Sequence, residues 1–261
     1  MKGFSRFAWS VLAYNVLVIL WGAYVRATGS GAGCGSHWPL CNGEVLPRSP
    51  QVETLIEFAH RVTSGLALLL VIILVGGAIK LYSRRHPIRF AAYASLFFTL
   101  TEALIGAGLV LFELVADNTS LERGWAMSLH LLNTLFLLAA LTGAAWFSGW
   151  AEGQSWRWDR SNWVLFLGAW LGMGLLGVSG AITALGDTLF PASSLHEGLA
   201  QDFSPSAHLF LRLRVFHPGI AVLVGGYIIG VVLALRARRG SFLLLERVLV
   251  ALILLQWGVG I

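Results

Sequence analysis

Residues 55–79, LIEFAHRVTSGLALLLVIILVGGAI, form an apolar run that is long enough to cross the hydrocarbon core of a membrane. Glu57, His60 and Arg61 lie near its start. Hydrophobic residues make up 57% of the 261-residue chain and charged residues only 12%, about half of the charged share that is usual in soluble domains. The sequence therefore predicts an integral membrane protein.

Seven such runs are spread along the chain and predict an all-α polytopic membrane protein. Together they occupy more than half of the residues, which leaves no room for a separate soluble domain. The last run is cut short by the end of the sequence. The predicted spans are 7–25, 55–79, 91–112, 126–147, 163–183, 209–235 and 248–261.

The basic residues predict how these spans are oriented. The chain has 18 Lys and Arg against 13 Asp and Glu, a formal charge of +5. Because the basic residues lie between apolar runs, we interpret them as topology signals and not as a nucleic acid surface. If the N-terminus is cytoplasmic, 12 of the 18 lie on that side. The positive-inside rule therefore predicts a cytoplasmic N-terminus in the plasma membrane, with loops 26–54 and 184–208 outside.

Two cysteines, Cys34 and Cys41, lie seven positions apart in the first outer loop. A disulfide persists in an oxidising compartment, and the glycine-rich stretch 29–33 together with Pro39 lets the chain turn between the two residues. We predict a reversible Cys34–Cys41 disulfide that shapes the loop, with thiol chemistry as the alternative.

The two halves of the chain resemble each other at a spacing near 157 residues, which predicts an internally duplicated fold. The repeat predicts two four-helix bundles, residues 1–150 and 151–261, of which the second lacks its last helix. We expect the polypeptide to continue through an eighth span with a histidine at about position 284, the counterpart of His130. The matched pairs are Gly22 with Gly180, His60 with His217, and Glu102 with Gln256.

Three histidines, His60, His130 and His217, fall within predicted spans at similar depth. Ionisable side chains are costly inside a membrane, so each is a functional candidate. One interpretation is that they hydrogen-bond neighbouring helices. The other is that they bind metal, because imidazole is a good axial ligand for haem iron and histidines on facing helices hold haem in bundles. The repeat relation between His60 and His217 favours ligation.

Charged residues near two of these histidines predict different roles for the two halves. Glu57 lies three residues before His60, which places both side chains on one helix face. Arg61 is positioned either to pair with Glu57 or to bind an anionic group such as a haem propionate. Glu57 is therefore either a catalytic carboxylate or part of a structural ion pair. Arg214 takes its place three residues before His217, as expected if one site reacts and the other only binds a cofactor.

Several motifs together resemble the haem A synthase family, and the resemblance covers essentially the whole chain. It implies oxidation of the C8 methyl group of haem O to the formyl group of haem A, for cytochrome oxidase. It also implies that haem O binds between His60 and His130 in the N-terminal bundle, and haem b between His217 and a histidine of the eighth helix. The motifs are Glu57-x-x-His60-Arg61, the Cys34-x6-Cys41 loop with its segment WPLCNG at 38–43, VRATGSG at 25–31, and His130.

Such a reaction needs a redox metal, with the protein supplying orientation and electrostatics. Glu57 would stabilise positive charge that develops at the methyl carbon, or accept a proton. The residues and the resemblance together predict Glu57, His60 and His130 as catalytic residues, and Arg61, Arg214 and His217 as cofactor-binding residues. The implied partners are haem O, membrane lipid, haem O synthase, cytochrome oxidase assembly proteins and an electron donor that the sequence does not identify.

Three other functions fit parts of the sequence. A di-haem b-type electron-transfer protein would also use the histidines, but the difference between Glu57 and Arg214 argues against two equivalent haem sites. A membrane thiol-disulfide oxidoreductase would use Cys34 and Cys41, but one cysteine pair without a second exchanging pair argues against it. A transporter would explain the repeat, but not the shared depth of the histidines.

Overall fold

The computed structural model describes residues 2–48, 50–151, 153–154, 160–239 and 244–260. These residues form α-helices and one short 3-10 turn, without a β-strand, so the predicted all-α class is confirmed. The helices are α1 (Lys2–Ala27), α2 (Val52–Leu81), α3 (Pro87–Leu111), α4 (Leu121–Phe147), α5 (Arg160–Leu189), α6 (Leu195–Asp202), α7 (Leu209–Arg214), α8 (Phe216–Arg239) and α9 (Leu244–Gly260).

Within the part of the chain that the structure describes, six segments are long and apolar enough to cross a membrane. They are α1 to α5, each singly, and the stretch that joins α7 to α8. The prediction of a multi-pass membrane protein is therefore confirmed. Helix α9 overlaps the seventh predicted span, of which 17 residues are described as helix, so the count of seven stays a prediction.

The predicted span 209–235 is interrupted near its start, at Val215. Pro218 has no backbone N–H. In a continuous helix its ring would also collide with the carbonyl of the residue four positions earlier, which is Arg214. Arg214 is the last residue of α7, and Pro218 lies in the first turn of α8, where proline is tolerated. The proline therefore accounts for the break.

The described residues cluster into two compact units, 1–155 and 156–261. In the N-terminal unit, α1 and α3 each pack against both α2 and α4. This arrangement makes α2 and α4 diagonal partners in a four-helix bundle. The core of the bundle includes Val11, Val71, Leu74, Leu137 and Leu141, all nearly inaccessible to solvent.

In the C-terminal unit, α5 packs against α7 and α8, and α8 packs against α9. The short α6 contacts α7, which begins the membrane-length stretch that continues into α8. The second predicted outer loop, 184–208, therefore contains a helix and begins later than predicted, because α5 continues to Leu189.

Two histidines, His86 and His208, lie directly before a helix and act as N-caps. The Nδ1 atom of His86 accepts a hydrogen bond from the backbone N–H of Ile88 at the start of α3. His208 accepts one from the N–H of Phe210 at the start of α7 in the same way. These contacts satisfy N–H groups that have no partner within the helix.

Candidate functional site

His60 and His130 extend from the diagonal helices α2 and α4 of the N-terminal bundle. Their side chains are close enough to interact electrostatically. Both Nδ1 atoms are buried, and neither has a hydrogen-bond partner among the described residues. The fold thus brings together the two histidines that the sequence predicts as a ligand pair.

Each intramembrane histidine packs its ring against a glycine of another helix. A Cβ atom placed on the glycine would lie 2.9 Å from Cε1 of His60, 3.8 Å from that of His130 and 3.2 Å from that of His217. At the first and third positions an alanine would push against the imidazole. The glycine–histidine pairs are Gly22 with His60, Gly106 with His130, and Gly180 with His217.

Two of these pairs have the same arrangement within their own units. In the N-terminal unit, the His60 ring of α2 lies on Gly22 of α1. In the C-terminal unit, the His217 ring of α8 lies on Gly180 of α5. The sequence repeat therefore has a structural counterpart, and its glycines accommodate imidazole rings.

Glu57 is buried, with 4% of its surface exposed, and both of its carboxylate oxygens accept hydrogen bonds. Oε2 accepts from the backbone N–H of Cys34 at 2.8 Å, and Oε1 accepts from Nε of Arg61 at 3.1 Å. Of the two interpretations of this residue, the ion pair is formed. Arg61 also donates to the carbonyl oxygens of His37 and Leu40, so its guanidinium binds the outer loop.

Cys34 and Cys41 are joined by a disulfide and are 0% and 1% exposed. The loop that they close lies on the first turns of α2. The Thr54 hydroxyl donates to the carbonyl of Gly33 at 2.7 Å, and a Cβ on Gly33 would collide with the backbone of α2 at residues 53 and 54. Only glycine permits this close approach, which holds the loop beside the turn that carries His60.

In the C-terminal unit, Arg214 forms two ion pairs. Its Nη1 lies 2.7 Å from Oδ1 of Asp187, and its Nε lies 2.6 Å from Oδ1 of Asp202. A third hydrogen bond reaches the carbonyl of Gly198. The side chain predicted to bind cofactor is thus engaged with two carboxylates. The Nδ1 atom of His217 lies 2.9 Å from the Ser179 hydroxyl, which leaves its Nε2 atom on the other side of the ring.

Two residues near the histidines were not among the predicted site residues. Glu102 of α3 places Oε1 3.6 Å from Nδ1 of His130, and Ser179 of α5 contacts His217. Glu102 carried a usable signal, because it is a carboxylate within a predicted span. Ser179 carried none, because a serine within a span is ordinary membrane-helix composition.

The arrangement suits an iron that brings most of its own ligands. Among the described residues, no group of three or more His, Cys, Asp or Glu side chains is placed to hold a bare metal ion. A haem iron needs only axial ligands, since the porphyrin supplies the other four nitrogens. Two histidines on diagonal helices can supply such axial ligands.

Comparison with known families gives one match across the chain. The family model described as cytochrome oxidase assembly protein matches residues 5–261. This range includes every predicted site residue of both units.

Individual relatives carry two kinds of name. A Protoheme IX farnesyltransferase of Thermus thermophilus is 55% identical over 86% of this chain, but the match covers 37% of that protein. A Heme A synthase of Alkalihalophilus pseudofirmus is 41% identical over 48% of this chain and 42% of its own length. A Heme A synthase of an Exiguobacterium species is 35% identical over 54% of this chain and 46% of its own length. The chain thus spans less than half of the length of each of these relatives.

Proposed function

Because this chain belongs to the cytochrome oxidase assembly protein family, we propose that it is a haem A synthase, which oxidises the C8 methyl group of haem O to a formyl group. The observation that carries the proposal is the His60 and His130 pair, whose Nδ1 atoms are buried on diagonal helices of the N-terminal bundle. The Heme A synthase names of two relatives support it. The farnesyltransferase name belongs to a protein of which the match covers 37%.

We assign haem O, as substrate, to the N-terminal unit. His60 and His130 would hold it and fix its orientation in the bundle. The iron of the bound haem supplies the redox chemistry. Glu57 lies three residues before His60 on α2, and we propose that its carboxylate stabilises positive charge at the reacting carbon or accepts a proton. Arg61 holds that carboxylate and the outer loop in place.

We assign haem b, as cofactor, to the C-terminal unit, where His217 would hold its iron. The hydrogen bond between Ser179 and Nδ1 of His217 orients the ring and keeps Nε2 available for iron. Arg214 holds the outer segment above His217 through Asp187 and Asp202. We propose that it contributes positive charge near the haem propionates.

We propose a cytoplasmic N-terminus in the plasma membrane, with the Cys34 loop on the oxidising side. This orientation agrees with a disulfide in that loop. Haem O synthase is the proposed supplier of substrate, and cytochrome oxidase assembly proteins are the proposed recipients of product. The electron donor is a further partner of the reaction.

The test is conversion of haem O by the purified full chain, followed by mass spectrometry of the extracted haem. His60→Ala and His130→Ala should each lower the formation of haem A at least about 100-fold, with unchanged helix content by circular dichroism. His196→Ala is the matched control, because His196 is exposed on α6. Near-normal conversion by either intramembrane variant would refute the proposal.

The same extraction tests the electron-transfer alternative. A carrier would contain protohaem alone in both units and would return added haem O unchanged. The thiol-disulfide alternative has a structural argument against it, because both sulfur-bearing residues are almost completely buried and exchange requires access to a sulfur atom. An optical spectrum without haem bands would favour that alternative.

A further inference from the structure

We propose that Glu102 positions His130 and makes it the stronger of the two axial ligands of the haem substrate, which leaves His60 as the exchangeable ligand. This inference rests on the proposed function, because it concerns the same haem site. It adds a positioning residue to that site and assigns unequal roles to its two histidines.

The first observation is the contact between the two side chains. Oε1 of Glu102 lies 3.6 Å from Nδ1 of His130, and the side chains are 19% and 27% exposed. This distance is longer than a hydrogen bond. The Nδ1 atom is nevertheless buried without a hydrogen-bond partner among the described residues. The Glu102 carboxylate is therefore placed to accept a hydrogen bond from it.

The second observation is that the carboxylate is held by helix α4 itself. The Thr134 hydroxyl donates to Oε1 of Glu102, and Nδ2 of Asn133 donates to Oε2 at 2.5 Å. Asn133 is fixed in turn by the Thr101 hydroxyl, which donates to its Oδ1 at 2.7 Å. Both contacts to the carboxylate come from donors, so Glu102 is an acceptor directed at the helix that carries His130.

Iron ligation completes this arrangement. When Nε2 of a neutral histidine binds a metal, the remaining ring proton lies on Nδ1. In His130 this proton would lie on the ring atom that is 3.6 Å from Oε1 of Glu102, and a small tilt of the ring would turn this contact into a hydrogen bond. A carboxylate partner fixes the ring orientation and increases the basicity of the ligand.

At Nδ1, one of the other two intramembrane histidines has a neutral partner and the other has none among the described residues. His217 has the neutral hydroxyl of Ser179 at 2.9 Å. Nδ1 of His60 is buried and has no hydrogen-bond partner among the residues that the structure describes. The three rings therefore differ in donor strength, with His130 first, His217 second and His60 last. An exchangeable His60 opens one axial position on the same helix as Glu57.

The experiment uses the full chain with His217→Ala, so that haem binds only in the N-terminal unit, and ferric protohaem IX as the probe. Glu102→Gln retains the shape and removes the charge. It should weaken the preference for ferric over ferrous haem about tenfold, which raises the midpoint potential by about 59 mV for one electron. Glu102→Asp should restore part of the difference. Glu122→Gln is the matched control, because Glu122 is exposed on α4.

A second readout isolates the ligand strength of His130. With His60→Ala added to the same background, ferrous haem retains His130 alone. Glu102→Gln should then lower the iron–histidine stretching frequency in the resonance Raman spectrum, and Glu122→Gln should not. Thr134→Val removes one hydrogen bond to the carboxylate and should change both readouts in the same direction by a smaller amount.

The outcomes separate this inference from the proposed function. If the His217→Ala protein binds no haem, or if His60→Ala and His130→Ala leave its spectrum unchanged, the assignment of the haem site is wrong. If haem is bound by both histidines, but Glu102→Gln and Thr134→Val match Glu122→Gln in potential and in stretching frequency, the haem site stands and the role of Glu102 is refuted.

Discussion

The two units attach their outer segments beside the intramembrane histidines by opposite arrangements of charge. In the N-terminal unit the histidine helix α2 supplies a carboxylate, Glu57, which accepts a hydrogen bond from the loop at Cys34. In the C-terminal unit a cation takes this place: Arg214, the last residue of α7, just before the histidine helix α8. Its carboxylate partners are Asp187 near the end of α5 and Asp202 at the end of α6. Each charged residue lies three positions before its histidine. The comparison shows that this position is an attachment point in both units, whatever the sign of its charge.

This finding changes how the exchange of Glu57 for Arg214 is interpreted. The sequence suggests that the exchange marks a reacting site and a merely binding site. The structure adds a mechanical reason, because each side chain holds an outer segment over its histidine. Catalysis by Glu57 must therefore be separated from attachment by experiment.

The largest effect is expected from the pair Glu57→Gln and Arg214→Gln. Glutamine retains an acceptor for the Cys34 N–H but carries no charge, so Glu57→Gln should retain bound haem and slow conversion of haem O by about 100-fold. Arg214→Gln leaves Asp187 and Asp202 without their cation and should release haem b. Haem content per protein and the rate of haem A formation measure the two effects. Equal losses of haem and activity in Glu57→Gln would mean that the residue acts only as an attachment point.

The second effect concerns the Cys34–Cys41 disulfide, which closes the outer loop of the N-terminal unit. Among the described segments, the C-terminal unit has no such bond. Replacing both Cys34 and Cys41 by serine should lower loop stability by about 2–3 kcal/mol, the value for closing so short a loop. Tryptic cleavage at the exposed Arg48 should therefore become tens of times faster. Cleavage at Arg84, in the turn between α2 and α3, serves as the internal control. Unchanged cleavage at Arg48 would show that the noncovalent contacts of Glu57 and Thr54 hold the loop without the disulfide.

A third, smaller effect is expected from the glycines beneath the histidine rings. Gly22→Ala should displace His60 and weaken haem binding in the N-terminal unit about tenfold. Gly180→Ala should weaken binding at His217 by less, because the added atom would lie 3.2 Å from the ring and not 2.9 Å. Haem titration of each variant measures this order. Gly65→Ala on α2 is the control, since nothing lies within 4 Å of its added atom, and the reverse order would contradict the steric explanation.

The smallest effect is a pH dependence confined to the outer segment of the C-terminal unit. Hydrogen bonds from the Ser193 hydroxyl and backbone N–H hold the pKa of Glu197 below its ordinary value of 4.5. A carboxyl group with a lowered pKa stabilises the fold above its unfolded pKa, and this contribution is lost as the pH falls through the folded pKa. Protection against hydrogen exchange in residues 190–208, measured relative to the intrinsic rate at each pH, should therefore decrease below about pH 4.5.

Ser193→Ala should reduce this pH dependence, because it removes the hydroxyl donor. The loop between Cys34 and Cys41 should show no matching change, since its closure is covalent. A pH response of equal size in both segments would argue against an origin in Glu197.

The features that were predictable from sequence are those that depend on short segments. An apolar run such as 55–79 identifies a membrane helix because burial in lipid depends on the composition of the run itself. The spacing of Cys34 and Cys41 indicates a closed loop for a similar local reason. The break at Val215 was also readable from Pro218, but the hydropathy of the whole run concealed it.

The features that were missed depend on which helices meet and in which register. Glu102 and His130 are 28 positions apart on different helices, and only the packing of α3 on α4 brings them together. The partners of Arg214, Asp187 and Asp202, lie 27 and 12 positions away. No periodicity in the sequence encodes these distances, because they arise from tertiary contacts.

The interruption before Pro218 has an electrostatic consequence for the repeat. It makes His217 the second residue of its helix, whereas His60 is the ninth residue of α2. Aligned peptide dipoles give a helix a partial positive charge at its N-terminus, and this field fades within the first turn. His217 lies inside this field and His60 lies beyond it, so a cation beside His217 is disfavoured by up to about 1 kcal/mol relative to one beside His60. The duplicated imidazoles thus experience different backbone fields, before any neighbouring side chain is considered.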